Sequence, residues 1–228
     1  MCSRYSLTSP PEAVRAYFGH ANAPNYPPRY NIAPSQPVAI VRLDERRERE
    51  LALVRWGLVP SWVKDPVTFA MLLNARAETA ATKPSFRGAM RHRRCLVPAD
   101  GFYEWIGEKG AKRPHLIAPA AGGVIAMAGL WEHWMGADGS EVESMAILTV
   151  AANRLVSRLH DRMPAILPPE HFEAWLDTRQ MTADEAQALL VPAPESLLAI
   201  AEVSPKLNNP RNEGPEVQER VGATRSLL

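Results

Sequence analysis

Cys95-Leu96-Val97-Pro98-Ala99-Asp100-Gly101-Phe102-Tyr103-Glu104-Trp105 sets a short apolar run and an aromatic run on either side of an Asp-Gly pair. Asp and Gly both tolerate the backbone angles of tight turns, so the spacing predicts a tight turn at Asp100-Gly101. Two readings of Glu104 stay open. On a strand it would alternate outward from inward aromatics. Flanked by Tyr103 and Trp105 it would instead lose solvent, and its pKa would rise toward that of a general acid or base.

Working outward, the pattern predicts strands at His115–Ala118, Val124–Trp131 and Met145–Ala151, with a hairpin turn at Ala137-Asp138-Gly139-Ser140. Upstream, Pro37–Leu43 and Leu51–Gly57 read as strands joined by the solvated, mixed-charge run Asp44–Glu50. Ser9-Pro10-Pro11-Glu12 starts a helix with Val14, Tyr17 and Phe18 on one face and Gly19 as its end. His20–Arg29 and Gly57–Pro66 read as loops, the second holding Trp62 between Pro60 and Pro66. Helices are expected at Pro169–Thr178 and Thr182–Leu190, the latter with a capping box from Thr182 and Glu185. A last strand, Leu197–Val203, precedes loop from Pro205. There is neither a fixed-period repeat nor an evident linker, so one domain is expected over 1–228, with 209–228 a C-terminal tail.

With 228 residues, 46% hydrophobic and 22% charged, the chain has the composition of a soluble globular protein. A net charge of +1 gives no global field toward nucleic acid or membrane, so any such role rests on a local patch. Two cysteines make no disulfide framework and no CxxC metal pair, which suits the cytoplasm. Arg4, Glu12 and Arg15 break any signal-peptide core, and no run reaches the roughly 20 apolar residues of a membrane span. The six histidines lack ligand-like spacing, so no metal or organic cofactor is expected.

The chain begins Met1-Cys2-Ser3-Arg4. If Met1 is removed, Cys2 offers an α-amine of pKa about 7.7–8.0 and a thiol of about 8.5, both partly reactive near neutral pH. An aldehyde would form a Schiff base with that amine, and the thiol would close a thiazolidine; the bland alternative is a Cys that merely follows the initiator. His160-Asp161-Arg162-Met163-Pro164 sets an imidazole, a carboxylate and a guanidinium in an apolar segment, facing a pocket, another buried charge or only neighbouring backbone. Asn74 and Arg76, two apart, share a face if extended, as an amide plus a phosphate clamp or as a structural pair. The Arg87–Arg94 cluster reads as a phosphate-contacting patch or a solvated face. Trp62 reads as a base-stacking ring or a loop anchor.

In order, Cys2 and Arg4, Arg29-Tyr30-Asn31-Ile32-Ala33-Pro34, Trp56-Gly57 with Pro60 and Trp62, Asn74-Ala75-Arg76-Ala77-Glu78-Thr79, the Cys95–Trp105 stretch, His160-Asp161-Arg162-Met163-Pro164, and Val203-Ser204 with Asn208 resemble the SRAP family, the SOS response-associated peptidases. The resemblance runs from residue 2 to about 208. It implies an α+β fold, a mixed, barrel-like bifurcated β-sheet surrounded by helices. It also implies a sensor of abasic sites in single-stranded DNA that loses Met1, by self-processing or by an aminopeptidase, and crosslinks through a Cys2 thiazolidine. Asn74 would then orient the amine or the opened sugar, Glu104 would act as acid/base, and His160 would assist ring opening and reversal. Arg4, Arg76 and Arg162 would hold phosphates, with Pro34 and Trp62 shaping the DNA path. The implied partner is single-stranded DNA containing abasic sites, with a monomeric, cytoplasmic protein that associates with the nucleoid when engaged. Ser3 stands where the family usually has Gly, and its Cβ either crowds the sugar or is tolerated at negative φ.

Two rivals come from other classes. An N-terminal-nucleophile cysteine amidohydrolase would form an acyl-enzyme on Cys2 and release ammonia from glutamine. A non-catalytic module for single-stranded DNA would bind through the Arg cluster and Trp62 and keep its salt-sensitive affinity in Cys2→Ala.

Overall fold

The computed structural model describes residues 2–108 and 110–221. The strands among them are β1 (Tyr5–Leu7), β2 (Arg29–Ile32), β3 (Pro37–Leu43), β4 (Arg49–Trp56), β5 (Asn74–Arg76), β6 (Arg94–Ala99) and β7 (Gly101–Ile106). They continue as β8 (Arg113–Pro119), β9 (Ile125–Met135), β10 (Glu141–Ala151), β11 (Arg162–Pro164), β12 (Ile166–Leu167) and β13 (Leu198–Glu202). Short α-helices decorate them: α1 (Pro11–Phe18), α2 (Ala77–Ala80), α3 (Arg87–His92), α4 (Phe172–Leu176) and α5 (Ala183–Ala188).

β4, β3, β6, β9 and β10 close into a mixed five-stranded barrel, antiparallel except where β10 runs parallel to β4. Closure removes sheet edges and leaves an interior filled by side chains such as Ile40, Val97, Met127 and Ile147, which the register puts on one face and which are all fully buried. Gly129 lets β6 approach β9 closely, since a Cβ there would meet Cys95 Sγ and Val97 Cγ2 at 2.8 Å. β5 and β11 extend the barrel along β10, and β12 along β9.

A second, antiparallel sheet runs β13-β8-β7-β1-β2. The chain passes from barrel to second sheet between β6 and β7, through Asp100. The tight turn expected at Asp100-Gly101 is therefore a corner between sheets. Its carboxylate accepts from Thr8 Oγ1 at 2.8 Å, Ser9 N at 2.8 Å and Ser9 Oγ at 2.6 Å, and also from the Thr8 amide. Gly101 is needed for the close approach, because a Cβ would lie 2.7 Å from the Ile117 carbonyl oxygen. Tyr103, Val203, Leu207 and Val217 form a small core over this sheet, and the Tyr103 hydroxyl donates to Tyr30 O at 2.6 Å.

α1 ends at Gly19 in the left-handed conformation, φ 66°, with Val14 and Phe18 buried as its apolar spacing requires. α5 carries the expected capping box. The helix expected over Pro169–Thr178 is shorter: a 3-10 turn at Pro169–His171, then α4. The segment after Pro205, expected as loop, carries 3-10 turns at Pro205–Asn208 and Pro215–Gln218, and Val217 is fully buried.

Candidate functional site

Cys2 lies immediately before β1, fully buried, where the second sheet meets the barrel extension. Asn74, the first residue of β5, donates from Nδ2 to the Cys2 carbonyl at 2.8 Å. Its Oδ1 is buried and has no hydrogen-bond partner among the described residues. The Cys2 thiol donates to Arg4 O at 3.6 Å. Burial, and secondarily the Glu104 charge, push that thiol far above its ordinary range. The sequence-based expectation of a partly ionised thiol near neutral pH is therefore corrected for this state: apolar enclosure favours S–H over S⁻.

Glu104 on β7 pairs with His115 on β8 and is only 5% exposed. Burial raises its pKa, with the charges of His160 and Lys112 acting the other way. Of the two readings of this residue, the desolvated one holds. The strand's alternation does not send it to solvent, because Tyr103 and Glu104 are both buried. A carboxyl raised in this way holds its proton to higher pH than an ordinary glutamate, the direction that suits a general acid.

His160 precedes β11. Its Nδ1 accepts from the Arg162 amide at 2.9 Å and lies 2.8 Å from Asp161 Oδ1. One nitrogen cannot satisfy both at once. A neutral ring with its proton on Nε2 accepts the amide at Nδ1; a ring protonated at Nδ1, whether neutral or imidazolium, turns that proton to Asp161, which is 83% exposed.

Asn74 thus contacts Cys2 directly, Glu104 lies close enough for its charge to act on the thiol, and His160 acts on Glu104. Arg4 stands beside them, with Nη1 donating to Asn31 Oδ1 at 2.7 Å and Leu207 O at 3.2 Å. Its guanidinium lies 5.7 Å from the Trp105 ring centroid. Ser3, Arg4, Trp105, Lys112 and Asn208 line an open cavity of about 510 Å³ next to it. Ser3 is half-buried, and the non-glycine residues with positive φ among those described are Ser35 and Arg47, so its Cβ is accommodated without strain.

Arg76 is exposed on the same face of β5 as Asn74, with Ala75 buried between them. Arg162 is engaged within the protein: Nη1 and Nη2 donate to Glu78 at 2.5 and 2.8 Å, and Nη2 also to the Thr149 carbonyl. Pro34 is half-buried in the turn before β3. Trp62 is 58% exposed and lies edge-on to Phe69 at 5.8 Å, beside a cavity of about 620 Å³ that Arg87, Arg91, His92 and Glu132 also line. The basic cluster expected over Arg87–Arg94 does not form one patch. Arg94 is buried and donates to the carbonyls of Trp175, Met90, Asp177 and Met181, and Arg93 pairs with Glu132 at 2.8 Å. Arg87, Arg91 and His92 remain exposed.

Sequence reading assigned no role to Asn31 or Glu78. Asn31 binds Arg4 and, through Nδ2, the carbonyls of Leu207, Asn209 and Asn212, at 3.4, 3.1 and 2.8 Å. Both lie inside segments quoted above, and their partners are remote in sequence. Among the described residues no group of three His, Cys, Asp or Glu converges as a metal site, and no helix is long and apolar enough to cross a membrane.

Fold and site define a closed β-barrel protein with a second sheet, whose second residue is a buried thiol with an amide on its carbonyl and a buried carboxyl in its field. The family model for SOS response associated peptidase (SRAP) matches residues 1–210, and the chain belongs to that family. It is 37% identical over 223 residues to the abasic site processing protein YoqW of Bacillus subtilis, covering 96% of this chain and 99% of YoqW. It is 36% identical to the abasic site processing protein HMCES of Gallus gallus, covering 84% of this chain and 66% of HMCES. A crystal structure of a protein from Bacteroides thetaiotaomicron superposes with a TM-score of 0.85 at 28% identity, covering 96% of this chain and all of that one. The fold is thus α+β, as the resemblance implied.

Proposed function

We propose that this protein processes abasic sites in single-stranded DNA by crosslinking to them through Cys2 once Met1 has been removed. What supports this reading is that the buried Cys2 has its carbonyl held by Asn74 and lies in the field of Glu104, on which His160 acts in turn. The similarity to proteins named for abasic site processing supports the substrate.

An abasic sugar is mostly a closed hemiacetal. As the C1′–O4′ bond breaks, His160 gives its Nε2 proton to the ring oxygen and in the same step takes the anomeric hydroxyl proton back at Nε2, so the C1′ aldehyde is freed and the imidazole returns to its neutral form. The Cys2 amine adds to C1′. Protonated Glu104 gives its proton to the resulting hydroxyl, which leaves as water and yields the iminium. The Glu104 carboxylate then takes the Cys2 thiol proton as sulfur bonds to C1′, closing the thiazolidine and restoring Glu104 to its starting form. One water is released overall. A thiol kept protonated by burial suits this order, because sulfur ionises only as the iminium forms beside it. Fixing sugar, amine and thiol in one place makes capture effectively unimolecular. Asn74 orients the Cys2 backbone, Arg4 and Arg76 hold phosphates, Arg162 stays clamped to Glu78 and Thr149 inside the protein, and Pro34 and Trp62 shape the strand's path. Removal of Met1 is self-catalysed, with Glu104 as acid/base.

The test is incubation with a single-stranded oligonucleotide carrying one abasic site, followed by a denaturing gel. A shifted band is expected from the wild type and none from Cys2→Ala; a band that persists in Cys2→Ala would sink the proposal. Intact mass tests maturation: Glu104→Gln should retain Met1, and its loss at the normal rate would assign removal to another enzyme.

A further inference from the structure

Glu78 belongs to α2, directly after the β5 strand that carries Asn74, and Arg162 opens β11, two residues after His160. β10 lies between those strands, with Thr149 facing Arg76 on one side and Pro164 on the other. The Glu78–Arg162 pair spans β10, and Arg162 also grips the Thr149 carbonyl between them. This two-point geometry is unlike that of a loose surface ion pair, since the Arg162 side chain is only 11% exposed. The Arg162 backbone amide is also the donor to His160 Nδ1, at 2.9 Å. The guanidinium that Glu78 holds therefore belongs to the same residue whose N–H fixes the imidazole.

We propose that Glu78 is a positioning residue: by clamping Arg162 across β10 it holds the Asn74 and His160 segments in register and keeps the His160 proton on Nε2. The consequence for crosslinking rests on the reading of His160 as the ring-opening acid. Without the clamp, the His160–Arg162 turn loses its anchor, the amide no longer fixes Nδ1, and the Nε2 acid is present only part of the time. The charged groups acting on the ring are Asp161 beside Nδ1, Glu104 from β7 and Arg162 itself. Removing Glu78 changes none of these side chains but leaves the Arg162 guanidinium without its partner charge, so it alters both the geometry and the field at His160. It also takes a negative charge from the neighbourhood of the expected phosphate path, so DNA affinity should not fall.

The experiment compares wild type, Glu78→Ala and Glu78→Gln by two readouts. Long-range ¹⁵N–¹H spectra of the free protein at about pH 8, where an ordinary imidazole is neutral, report which His160 nitrogen carries the proton, with His160→Ala assigning the resonance. The wild type should show Nε2–H, Glu78→Ala a mixture of tautomers, and Glu78→Gln, which keeps one acceptor, a state nearer the wild type. Single-turnover crosslinking at saturating abasic oligonucleotide should slow roughly tenfold in Glu78→Ala, part of what a general acid supplies. Affinity for the undamaged oligonucleotide should be equal or tighter. An unchanged tautomer overturns the proposal, as does an unchanged saturated rate with weakened affinity. Should Glu78→Ala not fold, Glu78→Met, which keeps the side chain's length and removes its acceptors, takes its place: a mixture of tautomers is expected there, and a wild-type tautomer overturns the proposal. A wild type that forms no adduct defeats the crosslinking reading alone, and the spectra still decide the role of Glu78.

Discussion

Cys95 and Cys2 are both fully buried, one in the barrel wall and the other where the barrel's extension meets the second sheet. Burial pushes both thiols well above their ordinary range. Their surroundings then diverge. Cys95 sits against Gly129, and the opposing charge nearest in effect is Arg42, which only eases its ionisation. Cys2 has its carbonyl held by Asn74 and lies in the field of a carboxyl that is itself raised. Desolvation alone makes an inert thiol; desolvation beside a group able to accept the proton makes one that reacts on demand.

The sharpest way to break that contrast is to remove each sulfur in turn. Cys2→Ala should abolish the adduct on the denaturing gel, whereas Cys95→Ala should crosslink at the wild-type rate and lose about 1 kcal/mol of stability from a small cavity. An adduct lost in both variants would mean that the barrel thiol matters to the chemistry. Next in size, Glu104→Gln from which Met1 has been removed by an added aminopeptidase should crosslink about a hundredfold more slowly than the wild type, the contribution of a general acid/base. The same variant sharpens the electrostatic side. Because the folded pKa of Glu104 lies above its ordinary 4.5, the protonated form is favoured in the fold. That stabilisation is complete below the ordinary value and is lost as pH rises through the elevated one. Denaturant midpoints measured from acid to neutral pH should therefore fall less in Glu104→Gln than in the wild type.

The same two regions show what sequence could convey. Pro37–Leu43 was legible to the residue because turn signals bound an apolar run, and local chemistry decides such boundaries. Gly19 and the Thr182–Glu185 box were legible for the same reason. Asp100-Gly101 was not, since the pair has the same local signature whether the chain folds back or changes sheet. What decides is Thr8 and Ser9, more than 90 residues away. Likewise Arg94 looks like its neighbours in Arg91-His92-Arg93-Arg94, and only the carbonyls of α4 and its flank make it a buried pin. The site residues were readable as a set through their order along the chain. That Arg162 is already held by Glu78, 84 positions away, is a property of the folded register alone.

Glycines in the two regions give a smaller, purely structural test. Gly129→Ala would press on Cys95 Sγ and Val97 Cγ2, side-chain atoms that can shift, whereas Gly101→Ala would press on the Ile117 carbonyl, which the sheet holds. Both should destabilise by about 1–3 kcal/mol, with Gly101→Ala the worse and the more damaging to crosslinking, because the corner it occupies aims β7 and Glu104. Urea melts and the gel assay on the two variants check the order. Equal loss of crosslinking per unit of lost stability would mean that the corner does no more than hold the fold together.

The smallest effect concerns a residue that belongs to neither core. Trp62 is 58% exposed and packs edge-on against Phe69, so little apolar area is lost to water on truncating it, and Trp62→Ala should leave the urea midpoint within about 0.5 kcal/mol of the wild type. If the ring stacks on a base, the same change should weaken binding to an undamaged single-stranded oligonucleotide by about 1–3 kcal/mol. The two quantities should thus separate at Trp62 and move together at Gly129. Fluorescence anisotropy at two salt concentrations tests the mechanism further: stacking carries no net charge, so Trp62→Ala should keep the salt slope, whereas Arg87→Ala in the same cleft should reduce it by about one if it contacts a phosphate. A Trp62→Ala protein that binds as tightly as the wild type would return this ring to the role of a loop anchor and leave the cleft to its charges.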